Sequence, residues 1–408
     1  MGHSGSRRPR RRSVRLGVFR PPRRAAHLRR RPGRLGPTGR LLRRPALIPQ
    51  HLIGFDLNLE GLKRVLPAVA FFAGFLWDAL TLGRSVGPLD LWILAGYMAG
   101  AGGLLWFLGK RQLALAAEPG PPEAEAPWWR VSGPYFLLQF LFGGLFSALF
   151  IFYFKSSSHL LAFLWALGLG GLLVANEFLE DRYRRFTLTW ALFGLCAMLL
   201  LNFVVPHVVG SISSFWFILS TLAGAGLAHG LHLKTPGQPG RIRPVWAIAA
   251  GLLLAYFVDI IPPVPLVKRD IAVGHALVKS EGDYVLRQEK TPWWVFWRRV
   301  SKELHVKPGE PIYCVSAIFA PTGLDTRLYH RWSHYDNGRG WVTTSHIGFG
   351  LAGGRQGGYR GYTWKRNLAP GEWKVAVETE NGRTVAVHRF ELSAEPLADD
   401  AAMVDKRF

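Results

Sequence analysis

Apolar and polar positions are segregated along this chain in two different ways. From Val65 to Ile261 apolar residues come in long runs broken by short charged stretches, whereas from Glu310 onward apolar and polar residues alternate. About 20 apolar residues cross a bilayer as a helix, and roughly seven runs approach that length. They are Val65–Gly83, Leu91–Leu108, Tyr135–Phe154, Leu160–Asn176, Thr187–Val205, Ser213–Leu231 and Pro244–Ile261. A backbone in lipid must satisfy its own hydrogen bonds, and these runs are too long for barrel strands, so they predict helices. Buried helices of a large soluble protein would show polar positions at helical period, and these runs show almost none. The alternating part predicts strands at Ile312–Phe319, Leu328–His334, Trp341–Phe349, Tyr359–Lys365, Glu372–Glu378 and Thr384–Leu392. Asn337-Gly338, Gly353-Gly354, Pro370-Gly371 and Asn381-Gly382 supply turns between them. The expected fold class is a membrane α-helical bundle of about seven transmembrane helices plus a C-terminal all-β antiparallel sandwich domain.

The pattern also sets expected boundaries. Residues 1–50 are rich in arginine and hold no acid and no lysine, which predicts a disordered tail or a stretch upstream of the native start. An interfacial segment, 51–64, precedes the bundle at 65–261. Residues 262–305 read as a linker with an amphipathic helix opened by Thr291-Pro292, with Trp293, Trp294, Trp297, Val300 and Leu304 at helical spacing. That helix would lie on the outer leaflet or pack on the soluble domain. The sandwich is expected at 306–396 and a flexible tail at 397–408.

Charge gives a direction. Basic residues follow the second run (Lys110, Arg111, Arg130), the fourth (Arg182, Arg184, Arg185) and the sixth (Lys234, Arg241, Arg243), and Lys63 and Arg64 precede the first. The alternate loops hold only Arg84, Lys155 and His207. The positive-inside rule then puts the N-terminus in the cytoplasm of a bacterial inner membrane and the C-terminal domain in the periplasm; only Lys268-Arg269 runs against it.

Candidate chemistry is sparse. His330 and His334 flank Trp332 on one face of a strand, with Asp336-Asn337-Gly338 as the following turn. Four strand residues span roughly 13 Å, too far for two ligands of one ion, so no metal site is expected. No nucleophile elbow or Cys–His pairing stands out, no catalytic or cofactor-binding residue is assigned, and Cys196 and Cys314 are not expected to form a disulfide. The sharper surface is Arg360, Tyr362, Trp364 and Arg366, which share one strand face. It suits a sugar ring or an anionic group, or else forms an internal cation–π ladder. Polar residues inside the runs are Asp78, Asn202 and Asp259, near outer ends, and Asn176 with Glu177, Glu180 and Asp181 near an inner end. Small residues such as Gly96, Gly100, Gly168, Gly170, Gly171, Gly224 and Gly226 predict close helix packing.

The stretches YCVSAIFAPTGLDTRLYHRW, GGRQGGYRGYTWKRNLAPGEWKVAVETENGR and FFAGFLWDALTLGR resemble the bacterial domain of unknown function 2914 family, over roughly Lys63 to Leu392. The resemblance implies several membrane helices followed by a C-terminal β-rich domain, and it implies no activity. The functional expectation is an inner-membrane protein whose outward domain binds an envelope protein or glycan. Its partners are the lipid bilayer and that envelope molecule, not nucleic acid, and no cofactor is expected. The alternatives are a transporter or channel component using the polar residues around Asp78, or a membrane-embedded enzyme.

Overall fold

The structure is a computed structural model. It describes residues 87–117, 128–280, 282–290, 303–307, 309–355, 357–395 and 403–408, with isolated positions 75, 76 and 80. The helices are α1 Pro88–Ala117, the short α2 Trp128–Val131, α3 Gly133–Ser156, α4 Leu160–Asn176, α5 Phe186–Val209, α6 Ser214–Lys234 and α7 Arg243–Phe257. Their ends follow local chemistry. Proline stands in the first turn of α3 and α7, where its missing N–H costs nothing. His159 and Ser213 cap α4 and α6 through their side chains, and Gly210, at φ 72°, ends α5 in the left-handed region.

Helix α5 is the hub, packed against α1, α3, α6 and α7. Its approach to α6 depends on Gly224, where a Cβ would lie 2.6 Å from the backbone of Met198. By contrast, Gly96, Gly168, Gly171 and Gly226 have open space around them, so they are not contact points. Among the described residues, four helices, α1, α3, α5 and α6, are long and apolar enough to cross a membrane; α4 and α7 are shorter apolar helices of 17 and 15 residues. At 1.5 Å per residue, α7 is about 22 Å long against a hydrocarbon core of about 30 Å. The expected seven full spans are therefore not supported. The first expected run, Val65–Gly83, lies largely outside the described residues.

Among the described residues the C-terminal part has eleven strands: β1 Val267–Gly274, β2 Ala276–Ser280, β3 Asp283–Glu289, β4 Glu303–His305, β5 Ile312–Phe319, β6 Asp325–Asp336, β7 Gly340–Ala352, β8 Tyr359–Lys365, β9 Gly371–Thr379, β10 Thr384–Ser393 and β11 Met403–Arg407. They form sheets of order β1-β5-β8, β4-β10-β9-β6-β7 and β11-β3-β2. All pairings are antiparallel except β4 with β10, so the β part is mixed rather than purely antiparallel. The first two sheets share one core, to which Ile312, Cys314 and Ile318 contribute from one side and Leu328, Trp332, Val375, Val377 and Phe390 from the other. The small third sheet covers the outer face of the first through Leu286, Ala272, Val315, Ala317 and Phe408.

Strands also occupy segments expected to be linker and tail. β1, β2 and β3 lie within 262–290 and β11 within 403–407. The second half of β1 is buried on both faces because the third sheet packs on it, so period-two alternation is lost. β11, with sequence MVDKR, is an edge strand with little apolar content. The expected Trp-rich helix at Trp293, Trp294 and Trp297 lies outside the described residues, and its expected last contact, Leu304, belongs to β4. Lys268 and Arg269 sit in β1, with the Arg269 guanidinium 5.1 Å from the Phe319 ring.

Candidate functional site

His330 is fully buried between the sheets. Its Nε2 lies 2.8 Å from Ser316 Oγ and its Nδ1 2.9 Å from Thr363 Oγ1, which also accepts from Trp332 Nε1 at 3.0 Å. Burial holds the imidazole pKa down to about 3. This is a satisfied polar network in a core; its serine has no route to a substrate. His334 shares the inward face at the rim, 4.9 Å from the Trp373 ring. No group of three or more His, Cys, Asp or Glu side chains is placed to hold a metal ion among the described residues. Cys196 and Cys314 are free and buried.

The candidate face of β8 is divided by the third sheet. Arg360 is drawn into an ion pair with Asp283 at 2.7 Å, and Tyr362 meets Tyr284 at 5.4 Å between ring centroids. The other end faces solvent: Tyr362 and Trp364 are 45% and 49% exposed, and the Arg366 guanidinium lies 5.3 Å from the Trp364 ring. Gly361 and Thr363 are buried on the opposite side, as the alternation requires.

A second cation–aromatic group lies on the outer face of the five-stranded sheet. The Lys374 ammonium is 4.5 Å and the Arg389 guanidinium 5.7 Å from the ring of Trp341, whose own edge meets Tyr335 at 5.3 Å. Lys374 and Arg389 are direct cross-strand partners. Beside them, Arg331 pairs with the buried Glu378 at 2.5 Å, and His346, stacked on Tyr329, stands 3.8 Å from the same carboxylate. Burial, then the neighbouring Arg331 and Arg389 charges, lowers the Lys374 pKa. Sequence alternation alone puts Lys374 and Arg389 outward; the register that sets them side by side is not readable from spacing.

A third cluster joins the three sheets. Glu289 receives His275 Nε2 at 2.9 Å, His305 Nδ1 at 3.0 Å and the His305 backbone N–H at 2.7 Å; His275 Nδ1 lies 3.3 Å from Glu310. Burial favours the neutral forms, but the hydrogen bonds and charges prevail: His275 is raised and Glu289 lowered.

Three segments from one end of the bundle meet the β part. Ser158, between α3 and α4, donates to the Thr384 carbonyl at 2.9 Å; Gly210, after α5, accepts from the Asp325 N–H at 3.2 Å; and Asp259, after α7, pairs with Arg383 at 3.1 Å. Among the expected intramembrane polar residues, Asn202 exchanges hydrogen bonds with Thr221 at 3.1 and 3.3 Å. Asn176 is likewise held by Gln139 and Tyr183. Asp78 lies outside the described residues.

Residues 325–392 match the model of a protein family of unknown function, DUF2914. The DUF2914 match runs from the start of β6 into β10, so it includes both cation–aromatic groups and leaves out the bundle and the His275 cluster. No curated protein matches the chain. Among solved structures, the chain is similar to a β-glucosidase from Listeria innocua in complex with gluconolactone. The identity is 14%, the coverage 29% of this chain and 17% of that one, and the TM-score 0.18. It is also similar to an immunoglobulin-like protein from Pseudomonas aeruginosa, at 12% identity, 30% and 97% coverage and TM-score 0.18. The Pseudomonas fluorescens alkylpurine DNA glycosylase AlkC gives 12%, 74% and 97%, and 0.17. The chain thus spans about a sixth of the β-glucosidase, and similarity this low carries neither fold nor function across.

Proposed function

We propose that this is a bacterial inner-membrane protein whose β part forms a periplasmic sandwich domain that binds an envelope protein or glycan. The observation that carries the reading is the solvent-facing end of β8, where Tyr362, Trp364 and Arg366 offer aromatic faces beside a cation. The bundle supports the orientation. Lys110 and Arg111 in the C-terminal part of α1, Arg182, Arg184 and Arg185 between α4 and α5, and Arg241 and Arg243 at the start of α7 lie at the end opposite the one that touches the β part. Asn202 and Asp259, on which a transport pathway would draw, are engaged by Thr221 and Arg383, and this favours binding over transport.

Two experiments test it. Alkaline phosphatase fused after Lys268 and after Phe408 is active at both points; activity of a cytoplasmic reporter at both points overturns the placement. Full-length protein in detergent co-sediments with purified sacculi, and Trp364→Ala reduces this several-fold. Equal sedimentation of the variant removes β8 as the binding surface.

A further inference from the structure

Lys374 and Arg389 stand directly opposite each other on neighbouring strands. Like charges in that position destabilise a sheet pair. The nearby carboxylate Glu378 attracts Lys374 but is paired to Arg331, and Glu372 and Glu391 face each other two residues further along the same face. The Trp341 ring screens the two cations without neutralising them. A repelling pair held under an aromatic ring and facing outward is a local conflict of the kind found at functional sites.

We infer that Trp341, Lys374 and Arg389 form a binding site for an acidic polysaccharide, with the two cations on a sugar carboxylate and the ring of Trp341 against the sugar. A carboxylate between Lys374 and Arg389 turns their repulsion into two charge-assisted contacts. The location favours a polymer over the headgroups of the protein's own bilayer. Strands β6 and β10 touch the bundle at their first residues, through Asp325 and Thr384. Arg389 lies five residues further along β10, roughly 17 Å of strand, whereas a headgroup layer is about 5–8 Å thick. Tyr335 and Trp341 lie at the far end of the β6–β7 hairpin.

The site rests on the outward placement proposed above but not on β8, so the two can fail separately. The probe is polygalacturonate, with neutral dextran and anionic phospholipid vesicles as controls, added to full-length protein in detergent. Wild type binds polygalacturonate, loses it as salt rises from 50 to 500 mM, and ignores dextran. Lys374→Gln with Arg389→Gln weakens binding at least tenfold, Trp341→Ala several-fold, and Trp364→Ala not at all. The double variant melts no lower than wild type, because it removes a repulsion. Absence of wild-type binding, preference for vesicles, or undiminished binding by the double variant overturns the site. Loss confined to Trp364→Ala assigns the glycan to β8 instead.

Discussion

Arg383 is clamped between the bundle and the β part, its Nη1 3.1 Å from Asp259 Oδ1 and its guanidinium 3.6 Å from the ring of Tyr256. Arg383 is buried, and Asp259 takes a left-handed backbone at φ 58°. Asparagine tolerates that conformation, so Asp259→Asn removes charge without adding strain. We expect Asp259→Asn to cost about 1 kcal/mol and Arg383→Met about 2 kcal/mol, the arginine losing both partners. The double variant falls short of the sum, since both changes break one contact. Additive losses in thermal unfolding of the detergent-solubilised protein would show that the two residues do not act together.

His330 makes the β part acid-labile. Its pKa in the folded protein is about 3, below the ordinary 6.5, so the unfolded chain binds the proton first. Stability from this residue is complete above pH 6.5 and falls as pH drops toward 3, by up to about 1.4 kcal/mol per pH unit. His330→Leu flattens that slope while leaving Ser316 Oγ without its His330 partner, at about 1–3 kcal/mol; Thr363 keeps the Trp332 indole N–H. A wild-type unfolding curve flat between pH 6.5 and 4.5 sinks the assignment.

The His275 cluster has the opposite dependence. His275 is raised above 6.5, so its contribution is complete below pH 6.5 and is lost as pH rises through the raised value. Glu289 is lowered below 4.5, so its contribution is present above pH 4.5 and is lost as pH falls through the lowered value. The cluster therefore holds the three sheets together best between those limits. Glu289→Gln is expected to lower stability near neutrality and to shrink the decline above pH 6.5, since only Glu310 then raises His275. Denaturant titrations of both proteins at a series of pH values from 6 to 9 measure this. A decline that persists undiminished in the variant assigns it elsewhere.

Sequence pattern located the helices α1 and α3 to α7 and the strands β5 to β10 well, because each is apolar on the side or sides that the fold buries. The same alternation correctly split Tyr362 and Trp364 from Gly361 and Thr363. It missed β1 where a third sheet covers it, and β11, whose five residues hold three charges. The sites were less legible for a different reason. Arg360 read as a ligand-facing cation, but the Asp283 that claims it is 77 residues away. Trp341, Lys374 and Arg389 come from three strands whose register only the fold sets, and Glu289 meets His275 and His305 through strands the pattern did not show. Asp259 read as an intramembrane polar residue; its partner Arg383 is 124 residues on.

Two glycines two residues apart on α6 make the last prediction. Both read as small packing residues, yet a Cβ on Gly224 would lie 2.6 Å from the Met198 backbone, while Gly226 has nothing within 4 Å. Backbone atoms cannot rotate away as a side chain can, so Gly224→Ala must push α6 off α5 and lose contacts along that seam. An overpacking cost of about 1–3 kcal/mol is expected for Gly224→Ala. Gly226→Ala should be neutral or slightly stabilising, since alanine is the better helix former by up to about 1 kcal/mol. Thermal unfolding of the two variants in detergent separates the cases. Equal effects would mean that α5 and α6 do not meet at Met198.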